Sequence, residues 1–363
     1  MKVLVAPLDW GLGHATRCVP VIREFLRLGA EVEIAVVKAN AAFFRGAFPK
    51  LRQRLAPSYN IVYPKHGYNM GLWLVKNGAH LKSVMAFEHQ YAEEMVERHH
   101  YDVLFSDNRF GFYSKKAKSI YMTHQRRIAF PPMLAAFEPL GILWHSSVMK
   151  HFDEVWVPDL PEAPGYAGGL SHVGRKPRPI KFVGALSRFS LGLNLFPDGS
   201  LPHYKFVAVV SGVEPARGRF EKHLKEVFSK IPGRHAIIQG RPAAGLKSWT
   251  EGNTDYFTHL PDNQFAQVVR SADWVVSRGG YSTVMDMAVL AAKCVFVPTP
   301  GQYEQIVLAR ELSKAGYARS ISENVLTMEK LLQETKSIEV KIPYAKDDGL
   351  LHKAVVESFR KKI

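Results

Sequence analysis

The chain predicts an α/β fold made of two Rossmann-like parallel-sheet domains. Three observations predict it. Apolar strand segments alternate with amphipathic helical segments almost throughout. The length of 363 residues exceeds what one hydrophobic core usually organises. The alternation breaks once, at residues 186–204 (LSRFSLGLNLFPDGSLPHY), where Gly, Pro and Ser interrupt the periodicity before a new strand restarts it.

Taken in order, the first half predicts strands near 2–8, 31–37, 60–64, 102–107, 119–124, 154–159 and 180–184. Helices are expected near 14–28, 40–48, 71–98 and 132–150. The second half opens with FVAVVSG at 206–212, then a helix at 216–229. Strands follow at 234–240, 255–259, 274–278 and 294–298, with helices at 262–272, 282–292, 303–316 and 326–335. The last segment, 347–362, is amphipathic and helical. The sequence shows no repeats, low-complexity tracts or heptads.

Composition narrows the function classes. Hydrophobic residues make up 47%, which suits a soluble globular protein. No apolar run reaches the ~20 residues of a spanning helix. The start, MKVLVAPLDWGLGH, reads as a strand entering a loop rather than a signal peptide. Cys18 and Cys294 read as buried free thiols in a reducing compartment. No Cys/His spacing suggests zinc. The 48 Lys plus Arg against 33 Asp plus Glu leave +15, which implies an anionic partner. No acid falls between Glu33 and Glu88, or from Asn108 to Phe137. These basic stretches lack a recognisable RNA or DNA module, so no nucleic acid is expected.

Residues 274–316 carry the sharpest chemistry. An apolar strand, Trp274 to Ser277, enters Arg278-Gly279-Gly280, and a helix opens at Ser282 or Thr283. A second strand, Cys294 to Val297, enters Pro298-Thr299-Pro300-Gly301-Gln302 and a helix bearing Glu304 and Gln305. Two successive strand–loop–helix units aim two helix N-termini at one sheet edge, and such an edge attracts phosphate. Adjacent glycines let a ligand approach the backbone. The spacing Thr283-x-x-Asp286 also fits a capping box, and the two glycines also fit a tight turn.

This segment resembles the donor-binding motif of GT-B glycosyltransferases, in the MurG-like and UDP-glucuronosyltransferase-like branch. The resemblance implies two domains facing across a cleft. It implies that Gly279, Gly280, Tyr281, Ser282 and Thr283 hold a UDP-sugar diphosphate, with Arg278 beside them. Asp286 would bind the ribose, and Glu304 and Gln305 the sugar. The expected domains are an acceptor domain at 1–190, a donor domain at 191–345, and a helix at 346–363 crossing back to the first domain.

The first strand runs into Asp9-Trp10-Gly11-Leu12-Gly13-His14. The loop resembles a dinucleotide fingerprint but lacks the third glycine, and no acid ends the second strand, which argues against a nicotinamide enzyme. It resembles instead the GxGH segment of the same glycosyltransferases. His14 is then the candidate base, with Gly13 by the donor and Asp107 orienting the imidazole. The bland alternatives are a loop-holding histidine and a turn aspartate. His124 is a weaker candidate, either an acceptor contact or the satisfied end of a strand. Ser211, Gly212 and Arg217 match a second phosphate loop, although Glu214 and Pro215 depart from the richer Gly/Ser loop of relatives. His259 and Leu260 match a uracil-reading segment, and Arg241 sits at the same edge.

The resemblance implies metal-independent inverting transfer, and no Asp-x-Asp motif lies near a strand end. No cofactor or metal is expected beyond the UDP-sugar co-substrate. The acceptor is expected to be anionic or lipid-linked. Arg45, Lys50, Arg52 and Arg54, interleaved with aromatics, are the expected peripheral contact with an anionic membrane. That places the protein in the cytoplasm, at the inner face of the cytoplasmic membrane. The competing readings are a UDP-sugar 2-epimerase and a non-catalytic nucleotide-sugar-binding subunit.

Overall fold

The computed structural model describes residues 1–9, 11–59, 78–172, 178–190, 202–336, 340, 342–343 and 349–359. The expected strand at 60–64 and the start of the helix at 71–98 lie outside them, as does most of the expected linker. The described residues divide into two compact units, one drawn from 1–59, 78–188 and 349–359, the other from 189–343.

In the first unit a parallel sheet holds β1 (Lys2–Pro7), β2 (Glu31–Val36), β3 (Gln53–Leu55), β4 (Val103–Asp107), β5 (Lys118–Met122), β6 (Glu154–Val157) and β7 (Ile180–Phe182). Their order is β3-β2-β1-β4-β5-β6-β7. The central strands are buried on both faces, which is why KVLVAP and VLFSD read as near-continuous apolar runs rather than alternating ones. Helices α1 (Leu12–Arg27), α2 (Lys38–Ala47), α3 (Gly78–His99) and α4 (Glu138–Met149) flank this chain order. The predicted helix at 132–150 is split, with a 3-10 segment at Pro132–Phe137 before α4. Pro139, the second residue of α4, has no N–H to give the preceding turn.

α1 shows how pattern becomes packing. Ala15, Cys18, Val19, Ile22 and Phe25 fall on one face and are buried. Phe25 meets Phe105, Trp156 and Phe359 at ring-centroid distances of 6.0, 6.4 and 6.1 Å. Burying such a ring contributes about 1.5–3 kcal/mol. Phe359 belongs to the chain-terminal helix, α10 in chain order (Leu350–Phe359), which therefore packs on the first unit.

The second unit holds β8 (Tyr204–Val209), β9 (His235–Ile238), β10 (Ser248–Glu251), β11 (Thr254–Phe257), β12 (Ala272–Ser277), β13 (Cys294–Phe296) and β14 (Arg319–Ser320). Their order is β10-β11-β9-β8-β12-β13-β14. Its helices are α5 (Ala216–Phe228), α6 (Asp262–Arg270), α7 (Tyr281–Leu290), α8 (Tyr303–Lys314) and α9 (Met328–Glu334). β10 pairs antiparallel with β11 and departs from the all-parallel expectation. Its sequence, SWTE, is exposed along its length and carries no buried alternation.

In both sheets the strand order reverses beside the first strand of the unit. Ligands in open α/β sheets bind at such switch points, outside the carboxyl ends of the strands. In the first unit the reversal lies between β1 and β4, and in the second between β8 and β12.

Candidate active site

The register of β1 on β4 sets Pro7 opposite Asp107, and the Leu8 amide donates to the Asp107 carbonyl at 3.1 Å. The chain then turns at Gly11, whose φ of 84° is costly for other residues, and enters α1. Ser58 and the Tyr59 amide hold the loop through Asp9. The first turn of α1 thereby overhangs the end of β4, and His14 Nδ1 lies 3.0 Å from Asp107 Oδ2.

Two further residues join this pair. Arg17, one turn along α1, sends Nε to Asp107 Oδ2 at 2.9 Å and Nη2 to Oδ1. The same Nη2 lies 2.8 Å from His14 Nδ1, and Nη1 lies 3.2 Å from His124 Nδ1. Asp107 is 0% exposed, Arg17 2% and His124 3%, while the His14 side chain keeps 15%. His124 lies beyond the end of β5 and is buried against Arg17, so it offers little surface to an acceptor. Cys18 Sγ lies 3.7 Å from Asp107 Oδ2.

The electrostatics follow from burial. Burial pushes the Asp107 carboxyl up, but the Arg17 charge and His14 more than offset it and hold it at about 2. Burial lowers His14, Arg17 lowers it further, and Asp107 opposes both. His14 is thus neutral near pH 7, beside an ionised carboxylate. The Cys18 thiol is pushed well up by burial, with Asp107 adding to it. Arg17 was missed as a site residue. The i, i+3 spacing from His14 to Arg17 would have revealed it, since the two share a helix face.

A second buried ion pair stiffens the chain just after Asp107. Arg109 Nε meets Glu88 Oε1 at 2.5 Å, and the Gly111 amide and the Tyr59 hydroxyl donate to Glu88 Oε2 at 2.8 and 2.6 Å.

In the second unit the expected donor residues gather at the carboxyl ends of the strands. Ser211 and Gly212 follow β8, Arg241 follows β9, His259 and Leu260 follow β11, and Gly279 and Gly280 follow β12. α7 begins at Tyr281 with Gly280 as N-cap, not at Ser282 or Thr283. Thr283 is therefore inside the helix, and the Thr283–Asp286 spacing does not make a capping box. Ser282, Thr283 and Asp286 lie half-buried along one side of α7. Neither Gly279 nor Gly280 has a positive φ, and a Cβ on Gly280 would meet nothing nearer than Thr283 Oγ1 at 4.0 Å. The backbone does not require glycine there. Among the described residues no side chain caps α7, and its first turn carries no acid. Such an end favours an anion.

Four of the expected residues make contacts within their own unit. Arg278 is 2% exposed, not open to a ligand. Its guanidinium lies 3.8 Å over the Phe220 ring, with Nη1 3.1 Å from the Val297 carbonyl and 2.9 Å from Glu323 Oε2. It braces two loops. Arg217 is held by Glu214 at 2.6 Å and Glu221 at 2.7 Å, so its charge is already neutralised. The Glu214 carboxylate also accepts the Gly218 amide at 3.0 Å, occupying the anion position at the start of α5. Gln305 turns inward: its Oε1 accepts the Thr299 amide at 2.9 Å. Arg54 pairs with Glu33 at 2.5 Å across β3 and β2, leaving Arg45, Lys50 and Arg52 exposed. The aromatics interleaved with them are largely core: Phe44, Phe48 and Tyr59 are buried. Tyr63, Tyr68 and Trp73 lie outside the described residues.

Arg241 and Leu260 are placed oppositely. Arg241 is exposed and Leu260 is 6% exposed. Gly13 lies in the first turn of α1. Glu304 lies half-buried in the first turn of α8. Among the described residues no group of three or more His, Cys, Asp or Glu is arranged to hold a metal.

The two Rossmann-like units have the fold of GT-B glycosyltransferases, and the matches that follow support a glycosyltransferase enzyme. Residues 234–357 match the glycosyltransferase family 28 C-terminal domain. The chain is 23% identical over 339 residues to an uncharacterised glycosyltransferase of Methanosarcina acetivorans, covering 89% of this chain and 84% of that one. It is 26% identical over 135 residues to the UDP-N-acetylglucosamine–N-acetylmuramyl-(pentapeptide) pyrophosphoryl-undecaprenol N-acetylglucosamine transferase of Shouchella clausii. That match covers 36% of this chain and 38% of the relative. Among solved structures, the calicheamicin glycosyltransferase CalG4 aligns over 100% of this chain and 98% of its own, with TM-score 0.69 at 15% identity. Acinetobacter baumannii MurG aligns over 99% and 100%, with TM-score 0.59 at 14% identity.

Proposed function

We propose that this glycosyltransferase moves a sugar from a UDP-sugar to an acceptor hydroxyl in one inverting displacement. The observation that carries the reading is the His14–Asp107 pair at 3.0 Å, with the imidazole partly open. In this reading His14 Nε2 takes the acceptor proton as the new glycosidic bond forms. The oriented Asp107 carboxylate stabilises the resulting imidazolium. The C–O bond to the leaving diphosphate breaks in the same step. Its charge is met by the α7 N-terminus and the backbone of Gly279 and Gly280, without a metal. Asp286, one turn into α7, binds the ribose, and Glu304 reaches the sugar. A UDP donor is supported by the donor named in the Shouchella clausii relative, whose matched region is confined to part of each chain.

The acceptor in this reading is anionic or lipid-linked, and the protein meets an anionic membrane at the cytoplasmic face. The support is a displaced version of the expected surface. Met133, Phe137, Leu140 and Leu143 are 93%, 53%, 61% and 54% exposed on the 3-10 segment and α4. Phe137, Leu140 and Leu143 are three residues apart and share one side at the start of α4, with Met133 on the preceding 3-10 segment. An apolar side left in water costs free energy that a lipid surface recovers. The Shouchella clausii relative's name specifies an undecaprenol-linked acceptor.

UDP release from a panel of UDP-sugars, with and without polyprenyl-diphosphate acceptors and in the presence of EDTA, tests the reading. Acceptor-dependent release insensitive to EDTA, with an inverted anomeric centre in the product, is expected. Acceptor-independent epimerised sugar would replace it with the epimerase reading.

A further inference from the structure

Arg17 is the best-connected side chain of the first-unit site and has no role in the displacement itself. It approaches every polar partner of that cluster: both oxygens of Asp107, His14 Nδ1 and His124 Nδ1. A guanidinium can only donate, and an ionised carboxylate can only accept. His14 Nδ1 therefore stands between two demands. Asp107 favours a proton on Nδ1, which frees Nε2 to act as a base. Arg17 Nη2 lies 2.8 Å from the same atom; with the Nδ1 proton on the Asp107 side the guanidinium acts on His14 through its positive charge, which disfavours the imidazolium.

We propose that Arg17 is a positioning residue that holds Asp107 ionised and in place while keeping His14 unprotonated, so that the base stays available below neutral pH. This rests on the reading of His14 as the base. The geometry carries the argument. A buried carboxylate needs a cation. In a bare His–Asp pair the imidazolium would supply it, and the histidine would stay protonated well above its ordinary range. Here Arg17 supplies it through two nitrogens, Nε and Nη2. The positive charge sits within hydrogen-bond distance of the imidazole and opposes its protonation. The charged and titratable groups facing His14 are Arg17 and Cys18 from α1, Asp107 from the end of β4, and His124 beyond β5. Cys18 stays a neutral thiol and contributes no charge. The direction of the His14 shift agrees, since Arg17 lowers it and Asp107 opposes.

The test is a titration of His14 by long-range proton–nitrogen NMR on histidine-labelled full-length protein, with the resonance assigned from His14→Gln. Arg17→Gln and Arg17→Lys are compared with the unsubstituted chain. Removing a charge within ~4–6 Å should raise the His14 midpoint by about 1–3 on the pH scale in Arg17→Gln. Arg17→Lys, which keeps the charge but loses the two-point grip, should give a smaller rise. The acid limb of kcat/KM for UDP release should move up with the NMR midpoint, while the high-pH plateau changes less than tenfold. A merely structural role would lower the plateau and leave both the limb and the midpoint in place. An unmoved His14 midpoint in a folded Arg17→Lys or Arg17→Gln variant overturns the proposal. A midpoint that rises without the acid limb following keeps Arg17 as proposed and removes His14 as the base.

Discussion

Asp107 receives two side chains of α1 at once: Arg17 Nε at 2.9 Å and His14 Nδ1 at 3.0 Å, both on Oδ2. One carboxylate at the end of β4 thus joins a permanent cation to a titratable base. This relationship sets the first expectation for function. His14→Ala should lose about 10²–10⁴-fold in turnover, the usual worth of general-base catalysis. UDP affinity should stay near that of the unsubstituted enzyme. Asp107→Asn should lose less in turnover. Steady-state kinetics beside calorimetric UDP binding measures both, and near-normal turnover in His14→Ala would end the base assignment.

The same carboxylate predicts acid lability. Its folded value, about 2, lies below the ordinary unfolded value near 3.9, so its stabilisation is complete above ~4. It is lost as pH falls through ~2, and the difference amounts to about 2 kcal/mol. Urea midpoints between pH 5 and 2 should fall less steeply in Asp107→Asn, after allowing for its lower starting stability.

His145 adds an earlier loss. It is 2% exposed, with Nε2 2.9 Å from the Tyr121 hydroxyl, and burial lowers it to about 4. A histidine neutral in the fold and protonated when unfolded stabilises above ~6.5 and loses that contribution as pH falls toward 4. The full contribution is about 3 kcal/mol. Melting temperatures from pH 7 to 4.5 should drop, and His145→Gln should flatten the drop. An equally steep curve in that variant would assign the sensitivity elsewhere.

For the donor site, Asp286→Ala should weaken UDP binding at least tenfold with little change in melting temperature. The helix start lies at Gly280, so Asp286 does not cap it. Arg278→Ala should do the reverse first. It removes the cation over Phe220 and leaves Glu323 and the Val297 carbonyl without their donor. A loss of about 3–5 kcal/mol is expected for breaking such a buried pair. Thermal shift with and without saturating UDP separates the two effects. A destabilised Asp286→Ala variant with intact UDP affinity would contradict the ribose assignment.

Membrane contact has two separable candidates. Flotation with anionic liposomes should be abolished when Met133, Phe137, Leu140 and Leu143 become Ser together. Replacing Arg45, Lys50 and Arg52 with Ser should also weaken it, by about 1 kcal/mol for each residue near the surface. No flotation of the unsubstituted chain at low salt would leave a soluble acceptor.

Strand–helix alternation determined the parallel α/β class, because buried central strands must be apolar on both faces and their covering helices on one. Gly279-Gly280 after β12 and His14 after β1 were legible for a related reason: a motif at a strand exit is local, and its place at the sheet edge follows from the alternation alone. β10 was not legible, since an exposed edge strand such as SWTE buries nothing that would impose a period. Pairing between charges distant in the chain was equally hidden. The acid-free stretches suggested a basic face, yet Arg54 meets Glu33 and Arg109 meets Glu88, brought together only when β3 packs on β2 and α3 packs on the sheet. For Arg278 and Arg217, sequence supplied a cation at a phosphate loop, and tertiary structure decided whether a carboxylate had already taken it. Coulomb energy depends on distance in space and on burial, neither of which is written in sequence order.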